Sequence, residues 1–357
     1  MERYSVVLAG GNGTRFWPLS RQSSPKQLLN ISGNDVMINE TILRCQSEIP
    51  PENSFVVTSG AQLENVVKVL ALDVPRKNIM VEPCGRNTAP SILLAALKLK
   101  KQHGDGVMCV FPSDQHISNE QEFLRVLRLA ADYAEKSPAL VTIGIKPSFP
   151  STGYGYINIG QKKAESGFFS VEEFCEKPSY DIAKSYMDSG EYLWNSGIFI
   201  WKISVILSAF ERYLPRIFKK LSLWYEHIGK PDESTVLDSI FPTLQKISID
   251  YGIMERSSDV VVIPGDFGWN DVGSWDSLGA LFPPDNDRNI VRSSENILLG
   301  TSNSIIYSEH QLVATNGINN LIIVSTPDAL LVCDKKRAQD VGKLVDELKA
   351  RHMDSYL

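Results

Sequence analysis

The first apolar run of this chain opens directly onto Leu8-Ala9-Gly10-Gly11-Asn12-Gly13-Thr14-Arg15, with three glycines in four positions. Such a turn lets bare backbone approach a ligand and aim its N–H groups at phosphate oxygens. It therefore predicts a phosphate site at the carboxyl end of a strand, where open α/β sheets bind ligands. Two common templates do not fit. Phe16 stands where the dinucleotide fingerprint needs its last glycine, Pro18 interrupts the helix that should begin there, and no Gly-Lys-Ser/Thr follows. A plain strand-to-helix turn would need one glycine rather than three. Arg15 in the loop, and Lys26 in Ser24-Pro25-Lys26-Gln27-Leu28-Leu29, supply a planar fork and a compact charge for phosphate. Taken singly, each is an ordinary solvated cation.

The rest of the chain supports an α/β class. Short apolar runs (Ser5 to Ala9, Phe55 to Thr58, Ile79 to Glu82, Val107 to Phe111, Leu140 to Ile145) alternate with helical periodicity near Val36 to Glu48, Gln62 to Leu72, Thr88 to Lys101 and Glu120 to Lys136. That alternation predicts a mostly parallel sheet flanked by helices. Asn87 and Thr88 before Pro90 mark a helix start. Strands are expected from Gly153 to Ile159 and Phe168 to Phe174, and helices from Asp181 to Met187 and Ser204 to Lys220. After the turn-rich Phe282-Pro283-Pro284-Asp285, short β runs (Ile297 to Leu299, Ser304 to Tyr307, Leu321 to Val324, Ala329 to Cys333) precede a helix from about Arg337 to Arg351. The expected division is a catalytic domain over 1–285 and a β-rich tail over 286–357. The tail carries no glycine-rich loop or paired acid, so its expected role is structural. No tandem repeat with a period of 20 to 50 residues is apparent.

With 36 Lys plus Arg against 42 Asp plus Glu, the net charge is −6, and no basic field exists to hold nucleic acid. A phosphate ligand must be held locally, which points to a small molecule. The 5 cysteines lie far apart with no Cys-x-x-Cys pair, and the 5 histidines show no metal spacing. No Gly-x-Ser-x-Gly elbow, signal-peptide core or membrane-length apolar stretch occurs, so a cytoplasmic protein is expected, with no membrane partner. Two acids follow buried runs: Asp114 after Val110-Phe111-Pro112-Ser113, and Asp271 in Gly268-Trp269-Asn270-Asp271-Val272-Gly273-Ser274-Trp275. Brought together, they would suit one Mg²⁺ bridging triphosphate oxygens. The plainer alternatives are a cap for Asp114 and a turn residue for Asp271. Gly155, Glu176 and Asn195, in Gly153-Tyr154-Gly155-Tyr156, Phe174-Cys175-Glu176-Lys177-Pro178 and Trp194-Asn195-Ser196-Gly197, have the look of a polyol site.

These motifs, together with Glu82-Pro83-Cys84-Gly85-Arg86-Asn87-Thr88-Ala89-Pro90, resemble the GDP-mannose pyrophosphorylase family of sugar nucleotidyltransferases from Val6 to about Leu348. Trp17, Pro25-Lys26-Gln27 and Arg86-Asn87-Thr88-Ala89-Pro90 are its mannose-type variants. The resemblance implies a Rossmann-like nucleotidyltransferase type A fold with a small C-terminal β-rich domain. It implies GMP transfer from GTP to mannose 1-phosphate, giving GDP-mannose and pyrophosphate, with Mg²⁺ and no covalent intermediate. Leu8, Ala9, Gly10, Gly11, Gly13, Thr14 and Arg15 would meet the nucleotide, and Lys26 the reacting phosphates. Glu82, Asn87 and Thr88 would meet guanine and ribose. Gly155, Glu176, Asn195 and Asp271 would meet mannose, Lys177 its phosphate, and Asp114 with Asp271 the metal. Family members usually carry His directly after the first metal Asp, where this chain has Gln115 and then His116. Fused relatives carry a further isomerase domain, for which this chain lacks the length and the His cluster, so a monofunctional enzyme is expected; the family's association of the tail with dimer formation implies a homodimer built at least partly there. Two rivals stay open: a related transferase using another base or sugar, which a nucleotide panel separates, and a catalytically silent sugar-nucleotide-binding regulatory protein.

Overall fold

The computed structural model describes residues 1–11, 13–70, 74–163 and 167–357. Asn12 of the glycine loop and the end of the expected 62–72 helix lie outside the described residues. The strands are β1 (Arg3–Ala9), β2 (Ser54–Ser59), β3 (Ile79–Glu82), β4 (Val107–Pro112), β5 (His116–Ile117), β6 (Leu140–Ile145), β7 (Gly155–Lys162), β8 (Phe169–Glu176), β9 (Tyr192–Lys202), β10 (Val260–Gly265) and β11 (Trp269–Asn270), then β12 (Ile290–Ser293), β13 (Asn296–Leu299), β14 (Ile305–Ser308), β15 (Val313–Asn316), β16 (Leu321–Ser325) and β17 (Leu330–Asp334). The helices are α1 (Met37–Cys45), α2 (Leu63–Val69), α3 (Thr88–His103), α4 (Glu120–Lys136), α5 (Tyr180–Ser189), α6 (Ile203–Tyr213), α7 (Pro215–Tyr225), α8 (Glu233–Ile240) and α9 (Val341–Ala350).

Nine strands form one sheet in the order β3-β2-β1-β4-β9-β6-β10-β8-β7. Its centre is buried on both faces, as near-continuous apolar runs require. Along β4, Met108 and Val110 join the core under α3, α6 and α7, while Val107, Cys109 and Phe111 join the core under α4. Helix α4 buries Phe123, Val126, Leu127, Ala130, Ala131 and Ala134, the single stripe expected of a helix covering a sheet. Its start is fixed by Asn119, whose side-chain oxygen accepts from the Glu122 N–H at 3.1 Å.

The sheet is mixed where a mostly parallel one was expected. Strands β3, β2, β1 and β4 are mutually parallel, as are β6 and β10, but β9 runs antiparallel between β4 and β6, and β7–β8 is an antiparallel pair. Alternating elements predict that strands share a sheet but do not encode the direction in which a strand after a hairpin re-enters it. The helix expected from Ser204 to Lys220 is two helices broken at Leu214, because Pro215 begins the second and disfavours helical backbone in the residue before it.

Beyond residue 285, β12, β14 and β16 stack in parallel with Ile290, Ile305 and Ile322 in one row, and β13 pairs with β15 in the same way. Strands β12 and β15 were not foreseen, and a 3₁₀ turn (Lys335–Asp340) precedes α9 where a continuous helix was expected. This tail packs on the preceding part of the chain: Phe16, Met37, Val272 and Trp275 share one core with Ile305, Ile322 and Val341. Among the described residues, no helix is long and apolar enough to cross a membrane.

Candidate active site

The glycine loop leaves β1 at Ala9 and is held from beneath by amides. Gln27 Nε2 donates to the carbonyls of Ala9 and Gly11 at 3.1 and 2.9 Å, and Gln62 Nε2 donates to Gly11 at 3.2 Å. Gly13 has left-handed backbone (φ 56°), and a Cβ there would collide with Lys26. This glycine is therefore required twice, by conformation and by space. Lys26 is buried, with relative exposure of 3%. Its ammonium donates to the Asp114 carbonyl at 2.7 Å, the Asp114 carboxylate at 3.0 Å and the Asp271 carbonyl at 2.7 Å. One cation thus ties the exit of β4 to the turn after β11, two segments far apart in sequence. Its three protons are all engaged, so meeting a phosphate requires exchanging the Asp114 carboxylate for it.

Beside the loop lies a cavity of about 340 Å³ whose lining includes Leu8, Gly10, Gly11, Glu82, Asn87, Thr88 and Asp114, a size that suits a small-molecule ligand. Glu82 ends β3 as a buried carboxyl; its Oε2 lies 3.5 Å from where a Gly10 Cβ would be, and Ser91 Oγ donates to its Oε1. Burial pushes its carboxyl up to about 7, against the opposing pull of the Ser91 hydroxyl. Asn87 caps α3 by accepting from the Thr88 N–H at 2.8 Å, and Thr88 Oγ1 accepts from the Ile249 N–H at 2.9 Å.

A second group adjoins the first. A Cβ on Gly155 would stand 2.5 Å from Glu176 Oε2 and 3.5 Å from the Asn195 Cβ, so these three residues meet at one point. Asn195 Nδ2 donates to Asp250 Oδ1 at 2.7 Å, and Asp250 also lines the first cavity. Burial, then the Glu176 charge, raises the Asp250 carboxyl above its ordinary value. Lys177 is exposed and pairs with Glu176 at 3.0 Å. Asp271 and Arg15 face each other across Gly273, where a Cβ would have Asp271 Oδ2 at 2.9 Å and Arg15 Nη1 at 3.6 Å. Burial raises the Asp271 carboxyl and Lys26 opposes it, while Asp114 raises it further. A lysine joined to the Asp114 carboxylate and the Asp271 carbonyl, a second cation across the turn and two adjoining polar pockets form an arrangement that could serve phosphoryl transfer.

Comparison with known proteins agrees with this geometry. Residues 4–287 match the nucleotidyl transferase family model. The chain belongs to the nucleotidyl transferase family. Residues 294–348 match the mannose-phosphate isomerase/GMP-like β-helix domain. The chain is 39% identical over 362 residues to the mannose-1-phosphate guanylyltransferase of Escherichia coli (strain K12), covering 97% of this chain and 73% of that one. It is 39% identical over 354 residues to the mannose-1-phosphate guanylyltransferase ManC of Salmonella typhimurium, covering 97% and 73%. Among solved structures, it superposes with a TM-score of 0.88 and 31% identity on a mannose-1-phosphate geranyltransferase from Thermus thermophilus, covering 98% of this chain and all of that one.

Nucleotidyl transferases of this kind generally use a divalent metal. The residues fit a hard cation: Asp114 and Asp271 offer carboxylate oxygens, and among the described residues no cluster of three or more His, Cys, Asp or Glu competes as an all-protein cage. Mg²⁺ is characteristically held by one or two carboxylates together with substrate phosphates and water. Gln115, where the resemblance leads one to expect His, is buried and donates to the Ser196 carbonyl at 2.6 Å, clamping the exit of β4 to β9. Sequence reasoning missed Gln27, Gln62 and Asp250. The first stood inside a quoted motif, but Asp250, in a π-helical turn (Asp250–Met254), carries no local signal beyond that irregular backbone. Three non-glycine residues of the site have left-handed φ: Asn87 (67°), Lys177 (48°) and Val272 (47°).

Proposed function

We propose that this protein transfers GMP from GTP to α-D-mannose 1-phosphate, forming GDP-mannose and releasing pyrophosphate. The observation that carries the reading is the buried carboxylate of Glu82 in the nucleotide cavity. Guanine presents an N–H and an adjacent NH₂ on one edge, so one carboxylate accepts both. Uracil and thymine flank their single N–H with carbonyls that a carboxylate repels, and adenine presents a ring acceptor there. The names of the bacterial relatives support the same substrates.

In this reading, the glycine-loop N–H groups, Thr14 and Arg15 hold the triphosphate, with Asn87 and Thr88 at the ribose. Gly155, Glu176 and Asn195 receive mannose through hydroxyl hydrogen bonds, and Lys177 receives its phosphate. The second pKa of a phosphate monoester is about 6, so the attacking oxygen is already ionised at neutral pH and needs no side-chain base. That oxygen forms a bond to the α-phosphorus in line as the bond to the pyrophosphate oxygen breaks, with no covalent enzyme intermediate. Arg15 and the loop N–H groups carry the charge that develops, and Lys26 fixes Asp114 relative to Asp271. Asp114 and Asp271 would hold Mg²⁺, which supplies Lewis-acid charge to the phosphate oxygens. The five free thiols support a cytoplasmic setting. The exposed Ile297, Leu299, Leu312, Leu330 and Val332 of the tail support a homodimer built at least partly there.

The test is pyrophosphate release with GTP and mannose 1-phosphate, run beside UTP, dTTP and ATP and beside glucose 1-phosphate. Turnover that prefers another base or sugar refutes the substrates, and no turnover with any pair supports the catalytically silent alternative.

A further inference from the structure

Arg15 is an exposed residue in the 3₁₀ turn (Thr14–Phe16) directly after the glycine loop, on a long side chain that loses rotamer freedom when fixed. A group meant to meet charge in a transition state must be fixed beforehand. Among the described residues, its one hydrogen bond is from Nη1 to Gln339 Oε1 at 2.7 Å. Gln339 belongs to the C-terminal tail, in the 3₁₀ turn before α9. Its other end is also engaged: Nε2 donates at 2.6 Å to Ser274 Oγ, a buried hydroxyl three positions after Asp271.

One carboxamide therefore spans the two sides of the site, from the arginine of the loop to the turn that carries Asp271. Its surroundings hold the bridge in place. Gly342, at the start of α9, lies where a Cβ would be 3.4 Å from Thr14 Oγ1 and 3.8 Å from Arg15 Cγ, so the helix lies against the arginine stem. Trp17 Nε1 donates to the Tyr356 carbonyl at 2.9 Å, and Trp275 Nε1 donates to the Trp17 carbonyl at 3.0 Å. The chemistry of the contact matters as much as its position. A carboxylate at 339 would neutralise the guanidinium and compete with phosphate for it. The neutral amide oxygen orients Arg15 through one nitrogen and leaves its charge and its remaining N–H groups for an anion.

We propose that Gln339 is a positioning residue for nucleotidyl transfer: through its bonds to Arg15 and Ser274, the C-terminal tail sets the guanidinium against the nucleoside triphosphate. This rests on the reading of Arg15 as a triphosphate ligand. Because Gln339 is exposed, its replacement leaves the core intact.

The experiment is a double-mutant cycle on the full chain with Gln339→Ala, Arg15→Ala and both, followed by steady-state kinetics and thermal melts. Gln339→Ala should lower kcat/KM for GTP about 10-fold, with the KM for mannose 1-phosphate and the melting temperature unchanged. In the Arg15→Ala background, the same change should cost less than about 2-fold, since a residue acting through Arg15 has nothing left to act on. Gln339→Glu should be at least as slow as the Ala variant, and it should recover part of its loss as salt weakens the new ion pair. Wild-type rates in Gln339→Ala, or costs that multiply in the double variant, overturn the proposal. So does a loss that affects both substrates equally and tracks the melting temperature. If the wild-type enzyme turns over a different nucleotide and sugar phosphate, the proposed substrates fall, and the same cycle run on that pair still decides the role of Gln339.

Discussion

Glu82 makes guanine recognition a titration. Burial holds its carboxyl at about 7 in place of the usual 4.5, whereas pairing with the two N–H donors of guanine needs the ionised form. The ionised fraction falls to roughly one-tenth at pH 6 and roughly one-hundredth at pH 5. GDP-mannose is the suitable probe because its diphosphate bears no group that titrates in this range. Its Kd, measured by calorimetry from pH 5.5 to 8.5, should be level above about pH 8 and weaken by nearly 10-fold per unit below about 7. Binding near pH 7 should release about half a proton, visible as a dependence of the heat on the buffer. Glu82→Gln should bind roughly 10²-fold more weakly at pH 8, since its amide cannot accept both donors, and its Kd should not follow pH. The sign for folding is the reverse of the common carboxylate case. The folded pKa lies above the unfolded one, so the ionised form is disfavoured in the folded protein and stability is lost as pH rises from about 4.5 to 7. The melting temperature of Glu82→Gln should therefore gain on wild type between pH 5 and pH 8. A wild-type Kd constant over this range, or a pH dependence that survives in Glu82→Gln, would refute the assignment.

Lys26→Ala should lower kcat by roughly 10²- to 10³-fold. It should also lower stability by ~2–4 kcal/mol in denaturant titrations, because the Asp114 and Asp271 carbonyls lose their donor; unchanged kcat would remove the lysine from the mechanism. Asp271→Asn should raise the Mg²⁺ concentration needed for half-maximal rate, since an amide is a weaker ligand for a hard cation, and activity indifferent to Mg²⁺ would sink the metal assignment. Gly155→Ala places a methyl 2.5 Å from Glu176 Oε2; it should raise the KM for mannose 1-phosphate about 10-fold while sparing that for GTP, and equal effects on both would dissociate Gly155 from the sugar. Light scattering at micromolar concentration should report a homodimer, and removal of residues 286–357 should yield aggregating chains because Phe16, Val272 and Trp275 lose their cover. A monomeric full-length protein would refute the dimer.

The parallel half of the sheet and the glycine loop were legible because each is written locally: an unbroken apolar run, then glycines where backbone must meet a ligand. Asp114 and Asp271 were legible as acids at the exits of buried segments. Strand β9 was not foreseen, neither as a strand nor in its direction, since direction is decided by contacts far away in sequence. The stacking of the tail's strands escaped, though two of them were expected, because Ile305 follows Ile290 by 15 residues and Ile322 follows Ile305 by 17. That spacing is shorter than the periods sought, and it is uneven. Lys26 was legible as a cation near the glycine loop, but only the fold reveals that its three acceptors come from the segments around 114 and 271. Asp250 and Gln339 lie in irregular turns whose neighbours in space are not their neighbours in the chain.

The backbone at Asn87, Lys177 and Val272 sets stability and activity against each other. Asn87, at φ 67° and ψ −177°, occupies a region that is nearly glycine's alone, and left-handed or such backbone costs other residues of order 1–3 kcal/mol. Glycine at 87 or 177 would release that cost, while removing the cap on α3 or the partner of Glu176. At 272 the balance reverses, because the fully buried valine contributes about as much by burial as its conformation costs. Selection of this enzyme for heat resistance alone should therefore drift toward glycine at 87 and 177 but not at 272, and the variants it yields should melt later and turn over more slowly.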